Sequence, residues 1–392
     1  MKSVVVVVLA AAGCVEGLAP EELGLGRRVG MFPGEVSAIL PPMTDALGNL
    51  YVATGVPDST GVPQPGTAHA ALSRGGWSDG CPTGTGARGG ALGWIGTDLG
   101  RGWLWTRDAI VELRANDGSC ETKLDVDPVS SSDLVLVAVA PLVHRDVSGR
   151  FTMAVITTGA QPTPYLATLD LELGLVRASS ALGTVEVLAV GADLDAGEAA
   201  FYVRDAAGPR ILLARPFEGQ VGTIPVSGTA DPAPRLGEIG FAADGSVAAT
   251  LRSDVVAVGT RTGVTIAAAP FSVASLELDD DGGLWLTSAT PTPSLARVAT
   301  GQLGPARPWA SAQAIDAALA AGVTVIDERG EQRAASRWKA HAAYGGSALV
   351  PPRAAPRYGL GARAVLVADP PVDRGGIPYS ELAVVPVGVA LP

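Results

Sequence analysis

The stretch that decides the fold is Asp279-Asp280-Asp281-Gly282-Gly283-Leu284-Trp285-Leu286-Thr287-Ser288. Asp and Gly tolerate left-handed backbone angles, so the first five residues predict a tight turn. The residues from Leu284 to Ser288 are strand formers around a central aromatic, so they predict a short strand. The stretch therefore predicts an acidic turn that opens directly into a strand.

Shorter copies of this turn and strand recur along the chain, and a glycine marks each of them. These glycines are separated by 52, 49, 48, 48 and 37 residues, and they are Gly48, Gly100, Gly149, Gly197, Gly245 and Gly282. A period in the forties with several short strands per copy is typical of β-propeller blades. We therefore predict an all-β fold, a single β-propeller of six or seven blades with about four antiparallel strands each.

Strand-like runs within the copies fit four strands per blade. The second copy predicts strands at 92–97, 103–107, 109–114 and 120–126, the third at 133–140, 151–158, 165–171 and 175–180, and the fifth at 237–242, 246–251, 255–260 and 264–268. The copies resemble propellers of the NHL and sensor-domain kind, whose blades carry an Asp-x-x-Gly-x-hydrophobic-aromatic-Val element. The resemblance covers roughly residues 36–330. It implies the fold alone, because propellers host both enzymes and binding proteins.

The pattern loosens after Ser288. Residues 311–321 fit a helix capped by Ser311, and they fit a strand equally well. Residues 323–330 predict a strand that enters a hairpin turn. Apolar runs at 363–368 and 381–389 predict strands that complete the last blade, together with an N-terminal strand near 36–40. A blade shared by both ends of the chain would leave no sheet edge unprotected.

The N-terminus has the features of an export signal. Met1-Lys2-Ser3 is a short positive start, Val4 to Ala12 is an apolar run, and Ala11-Ala12-Gly13 precedes Cys14. Nine apolar residues are too few for a membrane-spanning helix, which needs about 20. We therefore predict that residues 1–13 form a signal peptide that is removed.

The Ala-Ala-Gly-Cys ending resembles a bacterial lipoprotein signal, in which the Cys is diacylated and becomes the new N-terminus. Ala11 departs from this family, which usually has Leu at that position, and ordinary cleavage beside an incidental Cys is the alternative. The resemblance implies lipidation of Cys14 and attachment to the membrane, with 14–35 as lipidated Cys and tether and 36–392 as the propeller domain. Val15 is not the Asp that tends to retain such proteins at the inner membrane, which implies an exported protein anchored at the bacterial outer membrane or cell surface.

Cys81 and Cys120 remain once Cys14 is assigned to lipid. An even number of cysteines in an exported protein predicts one disulfide between them. Two buried free thiols are the alternative.

Composition restricts the classes of function. The chain has 392 residues, of which 47% are apolar and 17% charged, so it can bury a large core. Its net charge of −11 argues against a nucleic-acid partner, because phosphate backbones require clustered cations.

Two acidic clusters are candidate cation sites. Asp193, Asp195 and Glu198 faintly resemble a calcium loop, although the distal bidentate Glu is missing. Asp279, Asp280 and Asp281 are adjacent, so their side chains point in different directions. Turn chemistry is the favoured interpretation of both clusters, so we predict no cofactor, and bound calcium is the alternative.

Aromatic and imidazole side chains provide no catalytic assignment. Trp94, Trp103 and Trp105 predict either a stacking platform on a rim or, in preference, core packing between blades. The three histidines make no zinc-ligand spacing, and they are His69, His144 and His341. No Gly-x-Ser-x-Gly or His-Glu-x-x-His motif occurs, and we assign no catalytic residue.

A glycine-rich run and three arginines near the C-terminus are candidates for a binding surface or for a plain loop: Tyr344-Gly345-Gly346-Ser347, Arg353, Arg357 and Arg363. The sequence favours a binding or assembly module for an envelope or extracellular partner, either a protein or a carbohydrate. The alternative is an extracellular propeller hydrolase or lyase that acts on a carbohydrate or a lactone.

Overall fold

The structure is a computed structural model, and it describes the strands with some of their connecting turns. The described residues are 27–33, 40, 43–47, 49–54, 66–72, 78–82, 91–125, 134–158, 161–228, 236–252, 255–269, 273–278, 283–288, 295–299, 307–309, 324–326, 332–334, 346–350, 364–368, 372–373 and 378–386. Within these residues the secondary structure is entirely β, as predicted, with 32 strands and no helix. The described part of the chain contains no helix long and apolar enough to cross a membrane.

The first strand is β1 (Arg27–Pro33), and it is followed by three units of consecutive antiparallel strands. Unit 1 contains β2 (Met43–Thr44), β3 (Leu50–Ala53), β4 (Thr67–Ala71) and β5 (Cys81–Pro82). Unit 2 contains β6 (Gly93–Asp98), β7 (Arg101–Trp105), β8 (Ala109–Arg114) and β9 (Cys120–Asp125). Unit 3 contains β10 (Leu134–Val139), β11 (His144–Asp146), β12 (Gly149–Thr158), β13 (Gln161–Asp170) and β14 (Leu175–Ala181). In unit 3, β10 and β11 both pair with β12 and together take the place of a first strand.

Units 4 and 5 are joined into a closed eight-stranded barrel. Unit 4 contains β15 (Glu186–Asp193), β16 (Glu198–Asp205), β17 (Gly208–Arg215) and β18 (Gly219–Ser227), and unit 5 contains β19 (Gly237–Phe241), β20 (Ser246–Arg252), β21 (Val255–Thr260) and β22 (Gly263–Ala268). Each unit is antiparallel, and short parallel pairings of β15 with β19 and of β18 with β22 close the barrel. The sequence analysis did not predict this closure, because parallel pairing depends on tertiary packing and leaves no local pattern.

The remaining strands form unit 6, a hairpin and a terminal sheet. Unit 6 contains β23 (Val273–Leu278), β24 (Gly283–Ser288), β25 (Leu295–Ala299) and β26 (Arg307–Trp309). The hairpin contains β27 (Thr324–Ile326) and β28 (Gln332–Ala334). The terminal sheet contains β29 (Gly346–Val350), β30 (Ala364–Ala368), β31 (Val372–Asp373) and β32 (Pro378–Pro386), and β1 is its fourth main strand.

The two ends of the described chain pair with each other in the terminal sheet. Strand β1 is antiparallel to β32, with Arg27 opposite Val384 and Pro33 opposite Tyr379. Residues 36–39 of the predicted N-terminal strand lie outside the described residues, whereas seven residues of the predicted tether 14–35 form a strand that was not predicted. The cause lies in the sequence itself, since charge, Gly30 and a β-bulge interrupt any alternation in this segment.

The predicted strands of the second, third and fifth copies are confirmed within one or two residues at most ends. Each repeat turn lies between the first and second strands of a unit, so one sequence repeat corresponds to one unit. The candidate helix at 311–321 lies outside the described residues.

Buried apolar clusters lie between consecutive units. One cluster joins units 1 and 2 around Tyr51 and Trp94, and the next joins units 2 and 3 around Trp103 and Trp105. A third joins units 3 and 4, another fills the barrel of units 4 and 5, and a fifth joins units 5 and 6. Complete burial of one large apolar side chain contributes about 1.5–3 kcal/mol, so these clusters fix the order of the units.

Candidate interaction surface

Antiparallel pairing divides the turns of each unit between two edges. The turns between first and second strands and those between third and fourth strands lie at one end of the strands, which we call the turn edge. The turns between second and third strands lie at the other end, which we call the opposite edge. The described parts of the turn edge in units 1 to 5 come from these two sets of turns. Between first and second strands they lie within 45–49, 99–100, 146–149, 194–197 and 242–245. Between third and fourth strands they lie within 78–80, 115–119, 171–174, 216–218 and 261–262.

An aspartate organises the first turn of unit 1. Asp45 is buried, and its Oδ1 accepts hydrogen bonds from the amides of Leu47 and Asn49 at 2.9 and 3.0 Å. Its Oδ2 accepts from the Tyr51 hydroxyl at 2.9 Å and from the amide of Gly100 in unit 2 at 2.9 Å. Burial, and then the Asp45 carboxylate, raise the pKa of Tyr51 well above its usual range. The Asp45 carboxylate therefore stabilises its own turn and also binds the backbone of unit 2.

The corresponding aspartates of later units also accept hydrogen bonds from the backbone of their own turns. Asp146 accepts from the Ser148 hydroxyl and from the amides of Ser148 and Gly149, and these bonds, led by that of the hydroxyl, lower the pKa of its carboxyl group. Asp193 accepts from the amides of residues 195 and 196, and Asp244 accepts from that of Ser246. These contacts are the turn chemistry that the sequence favoured.

Ion pairs fasten unit 2 to unit 3 at the turn edge. The Arg150 guanidinium donates to the carboxylates of Asp98 and Glu172. Arg101 of unit 2 approaches the same Glu172 oxygen at 3.4 Å. Arg150 and Asp98 are about six-sevenths buried, so this pair is shielded from solvent more than most surface ion pairs.

Units 3 and 4 meet at the same edge through Phe217, which lies in the turn between β17 and β18. Its amide donates to the Thr168 hydroxyl at 3.0 Å. Its ring packs edge-to-face on Phe151, with the ring centroids 4.8 Å apart.

Units 4 and 5 are fastened by Arg261, which donates to Asp193 and, at 3.0 Å, to Glu198. Glu198 also accepts from Arg215 at 2.8 Å. Two carboxylates of the candidate calcium loop are thus engaged by arginine. Among the described residues, no group of three or more His, Cys, Asp or Glu is arranged to hold a metal ion.

The predicted disulfide is confirmed. Cys81 and Cys120 are bonded, with their Cα atoms 5.5 Å apart. Each is the first residue of a fourth strand, β5 in unit 1 and β9 in unit 2. The bond therefore joins these two units beside the turn edge.

Large apolar side chains are exposed at the tips of the turns. About half or more of the surface is accessible in six of them, which we call the tip residues: Leu47, Leu99, Val147, Leu173, Leu194 and Phe217. The other large apolar residues that are exposed in the described part of the chain are Leu175, Val176 and Val221, within the first three residues of a fourth strand. The exposed apolar surface is thus concentrated at the turn edge.

Two tip residues adopt a backbone conformation that large side chains avoid. Leu99 has φ of 42° and Phe217 has φ of 66°, and within the described residues they are the non-glycine positions with positive φ. The left-handed region costs roughly 1–2 kcal/mol for a residue with a Cβ atom. An exposed apolar side chain regains little of this cost through burial.

The aromatic and imidazole candidates prove to be structural where they are described. Trp94, Trp103 and Trp105 are buried in the clusters between units, so core packing is confirmed and the rim platform is wrong. His69 is buried, with Nδ1 3.0 Å from the Ser78 carbonyl oxygen, and burial lowers its pKa. His144 is exposed on β11.

Several candidates lie outside the described residues. They are Cys14, Asp279, Asp280, Asp281, His341, Tyr344, Gly345, Arg353, Arg357 and Arg363. Lipidation of Cys14 therefore stays a prediction.

The sequence analysis missed the turn edge, although a signal was present. Leu47, Leu99, Val147 and Leu194 each occur one to three residues before a marker glycine, where a turn usually has polar residues. Their recurrence at one position of the repeat is visible without a structure, but their exposure is not.

Comparison with known proteins does not assign the chain to a family. No protein-family model matches the sequence, and no curated protein is significantly similar to it.

Proposed function

We propose that this chain is an exported lipoprotein, attached through lipid on Cys14 at the bacterial outer membrane or cell surface, whose body is a β-propeller. In this proposal the body acts as a binding or assembly module for an envelope or extracellular partner. The export signal and the Ala-Ala-Gly-Cys sequence support this location.

Four features support the propeller. The units follow one another in chain order, consecutive units share apolar clusters, and most have four antiparallel strands. The pairing of β1 with β32 also brings both ends of the chain into one sheet, as closure of a ring requires. Units 1 to 6 and the terminal sheet would then be seven blades, and the parallel pairings of units 4 and 5 would be an additional link between two neighbours.

The observation that carries the binding role is the row of exposed tip residues along the turn edge. Monomeric proteins seldom concentrate exposed apolar side chains without a contact to make. The turns that present them are held in place by buried or backbone-bonded aspartates and by ion pairs between units. A rigid, apolar row suits binding better than chemistry, because it offers no nucleophile or general base. The hydrolase or lyase alternative stays a prediction that no described contact favours.

Two measurements test the proposal. Mass spectrometry of the N-terminus from isolated membranes should find a diacylated Cys14, and an unmodified Cys14 peptide would contradict the lipid anchor. Capture with the wild-type body, released from its lipid, should then recover material from unsolubilised envelope vesicles. The four-fold variant Leu47→Ser, Leu99→Ser, Val147→Ser and Leu194→Ser should recover much less. Equal recovery by a folded variant would contradict the assigned contact surface.

A further inference from the structure

We propose that the turn edge rests on the lipid bilayer itself, with its tip residues inserted among the lipid headgroups and the first acyl carbons. This inference deepens the proposed function and rests on the lipid anchor and on the propeller arrangement described above.

The form of the apolar surface favours lipid as the occupant. The six tip residues of units 1 to 4 lie on six separate turns, with one large exposed apolar side chain on each turn. Adjacent turns are connected, since Asp45 binds the amide of Gly100 and a Leu47 methyl group lies over that glycine. A row of separate apolar tips on a stiff support can enter a fluid interface, whereas a protein partner would need a continuous complementary surface.

Backbone strain at Leu99 indicates that this side chain is not placed for stability, whereas the Phe217 ring also packs on Phe151. Leu99 and Phe217 have positive φ, where Gly or Asn would fit without strain. Leu99 is half exposed, so its side chain gains little from packing within the body. A large apolar residue at a strained and exposed position suggests selection for an external apolar contact.

Some of the polar groups of the turns have their hydrogen bonds or charges satisfied within the edge. Asp45, Asp146 and Asp193 accept hydrogen bonds from turn amides that would otherwise need water. The negative charges of Asp98 and Asp193 face the guanidinium groups of Arg150 and Arg261. Pairing within the edge reduces the cost of bringing these charges close to lipid.

The position of the N-terminal segment supplies an independent argument. Strand β1 is the fourth strand of the terminal sheet and is antiparallel to β32, so Arg27 lies at the end where fourth strands begin. In the proposed ring this end is the turn edge. Twelve residues separate Cys14 from Arg27, and the segment from Cys14 to Arg27 spans at most about 45 Å when fully extended. A lipid on Cys14 therefore holds the turn edge nearer to the membrane than the opposite edge.

The test separates the body from its lipid. A protease site placed between Cys14 and Arg27 allows the full-length lipoprotein to be loaded on protein-free phosphatidylcholine vesicles and then cut. We expect the released body to remain on the vesicles, with an apparent affinity about tenfold or more above that of the four-fold Ser variant defined above. Raised salt should change little, because these lipids carry no net charge.

The matched control changes the opposite edge instead. Ala206→Ser and Ala207→Ser replace exposed residues of the turn between β16 and β17, and they should leave retention unchanged. Release of the wild-type body on cutting would overturn the proposal, as would equal retention of the four-fold variant. Retention that requires added envelope protein would also overturn it and would indicate a protein partner.

The same experiment separates this inference from the proposed lipidation. Protein that lacks an acyl group would contradict the lipid anchor, yet its body can still be added to vesicles and compared with the four-fold variant. Conversely, a lipidated protein whose body leaves the vesicles would contradict the bilayer contact alone.

Discussion

In the turns that the structure describes, the two edges of the units differ in what they expose and in how they are connected. At the turn edge, large apolar side chains are exposed, and ion pairs and a disulfide join one unit to the next. At the opposite edge, the turn between β16 and β17 exposes Ala206 and Ala207, and its Asp205–Arg210 ion pair stays within unit 4. Turns with small or polar side chains, and with ion pairs inside one unit, are typical of a surface that is exposed to solvent.

Closing a turn does not require an exposed large apolar side chain, because the turn between β16 and β17 closes with two alanines. The exposed apolar tip residues lie on turns, and ion pairs and a disulfide at the same edge join one unit to the next. Stability and surface contact therefore come from different residues of one edge, and substitutions can separate the two.

The largest expected effect concerns the disulfide beside the turn edge. Replacing Cys81 and Cys120 by Ala should lower the free energy of unfolding by about 4 kcal/mol, because the bond closes a loop of about 40 residues in the unfolded chain. Denaturant titration measures this loss, and reduced wild-type protein should match the double variant. Alkylation of either Cys in denatured, unreduced protein would show that the bond is absent.

Two glycines of the turn edge provide the next comparison. Gly174 and Gly197 have nearly equal φ, 64° and 65°, but a Cβ atom on Gly174 would overlap the Lys123 carbonyl oxygen of unit 2, whereas one on Gly197 meets nothing within 4 Å. Gly174→Ala should therefore cost about 3 kcal/mol of unfolding free energy, and Gly197→Ala about 1 kcal/mol. Equal losses would mean that units 2 and 3 do not meet at this turn.

The ion pairs predict a smaller difference. Arg150→Met leaves the buried Asp98 without its closest cation and should cost about 2 kcal/mol, with Arg145 at 3.9 Å compensating in part. Arg204→Met is the control, because Arg204 and Glu186 form a more exposed pair within unit 4, and it should cost about 0.5 kcal/mol or less. The denaturant midpoints of both variants measure these losses. A larger loss of unfolding free energy for Arg204→Met than for Arg150→Met would contradict the role of Arg150 in joining units 2 and 3.

The smallest expected effect is a gain in stability. Leu99→Asn replaces a leucine at positive φ with a residue that tolerates this conformation, so it should raise the unfolding free energy by about 0.5–1 kcal/mol. The same substitution removes an apolar tip and should weaken binding to vesicles. Leu194→Asn is the matched control, since Leu194 is exposed to the same extent in the corresponding turn of unit 4 but is not left-handed. It should weaken binding without raising stability. A loss of stability in Leu99→Asn would show that this side chain packs within the body.

The sequence predicted those features that depend on neighbouring residues or on simple counting. Asp and Gly specify the turns, strand-forming runs specify units 2, 3 and 5, and an even remainder of cysteines predicted the Cys81–Cys120 bond. Each of these signals lies in one short segment or in the composition, so no knowledge of tertiary structure was needed.

The features that escaped prediction depend on contacts between distant segments. Strand β1 is specified by its partner β32 more than by its own residues, and the parallel pairings of units 4 and 5 depend on how the units pack. The partners of Arg150 and Arg261 lie in another unit, and the exposure of Leu99 or Val147 is decided by what neighbouring turns leave uncovered.

The bilayer contact is tested most directly by measuring how deep each edge lies. Val147→Cys at the turn edge and Ala206→Cys at the opposite edge each add one free thiol, since Cys81 and Cys120 are bonded to each other and Cys14 carries the proposed lipid. An environment-sensitive fluorophore on each thiol reports quenching by nitroxide lipids in phosphatidylcholine vesicles. The account predicts strong quenching and a blue-shifted emission at position 147 and neither at position 206. Equal quenching at both positions, or stronger quenching at position 206, would contradict it.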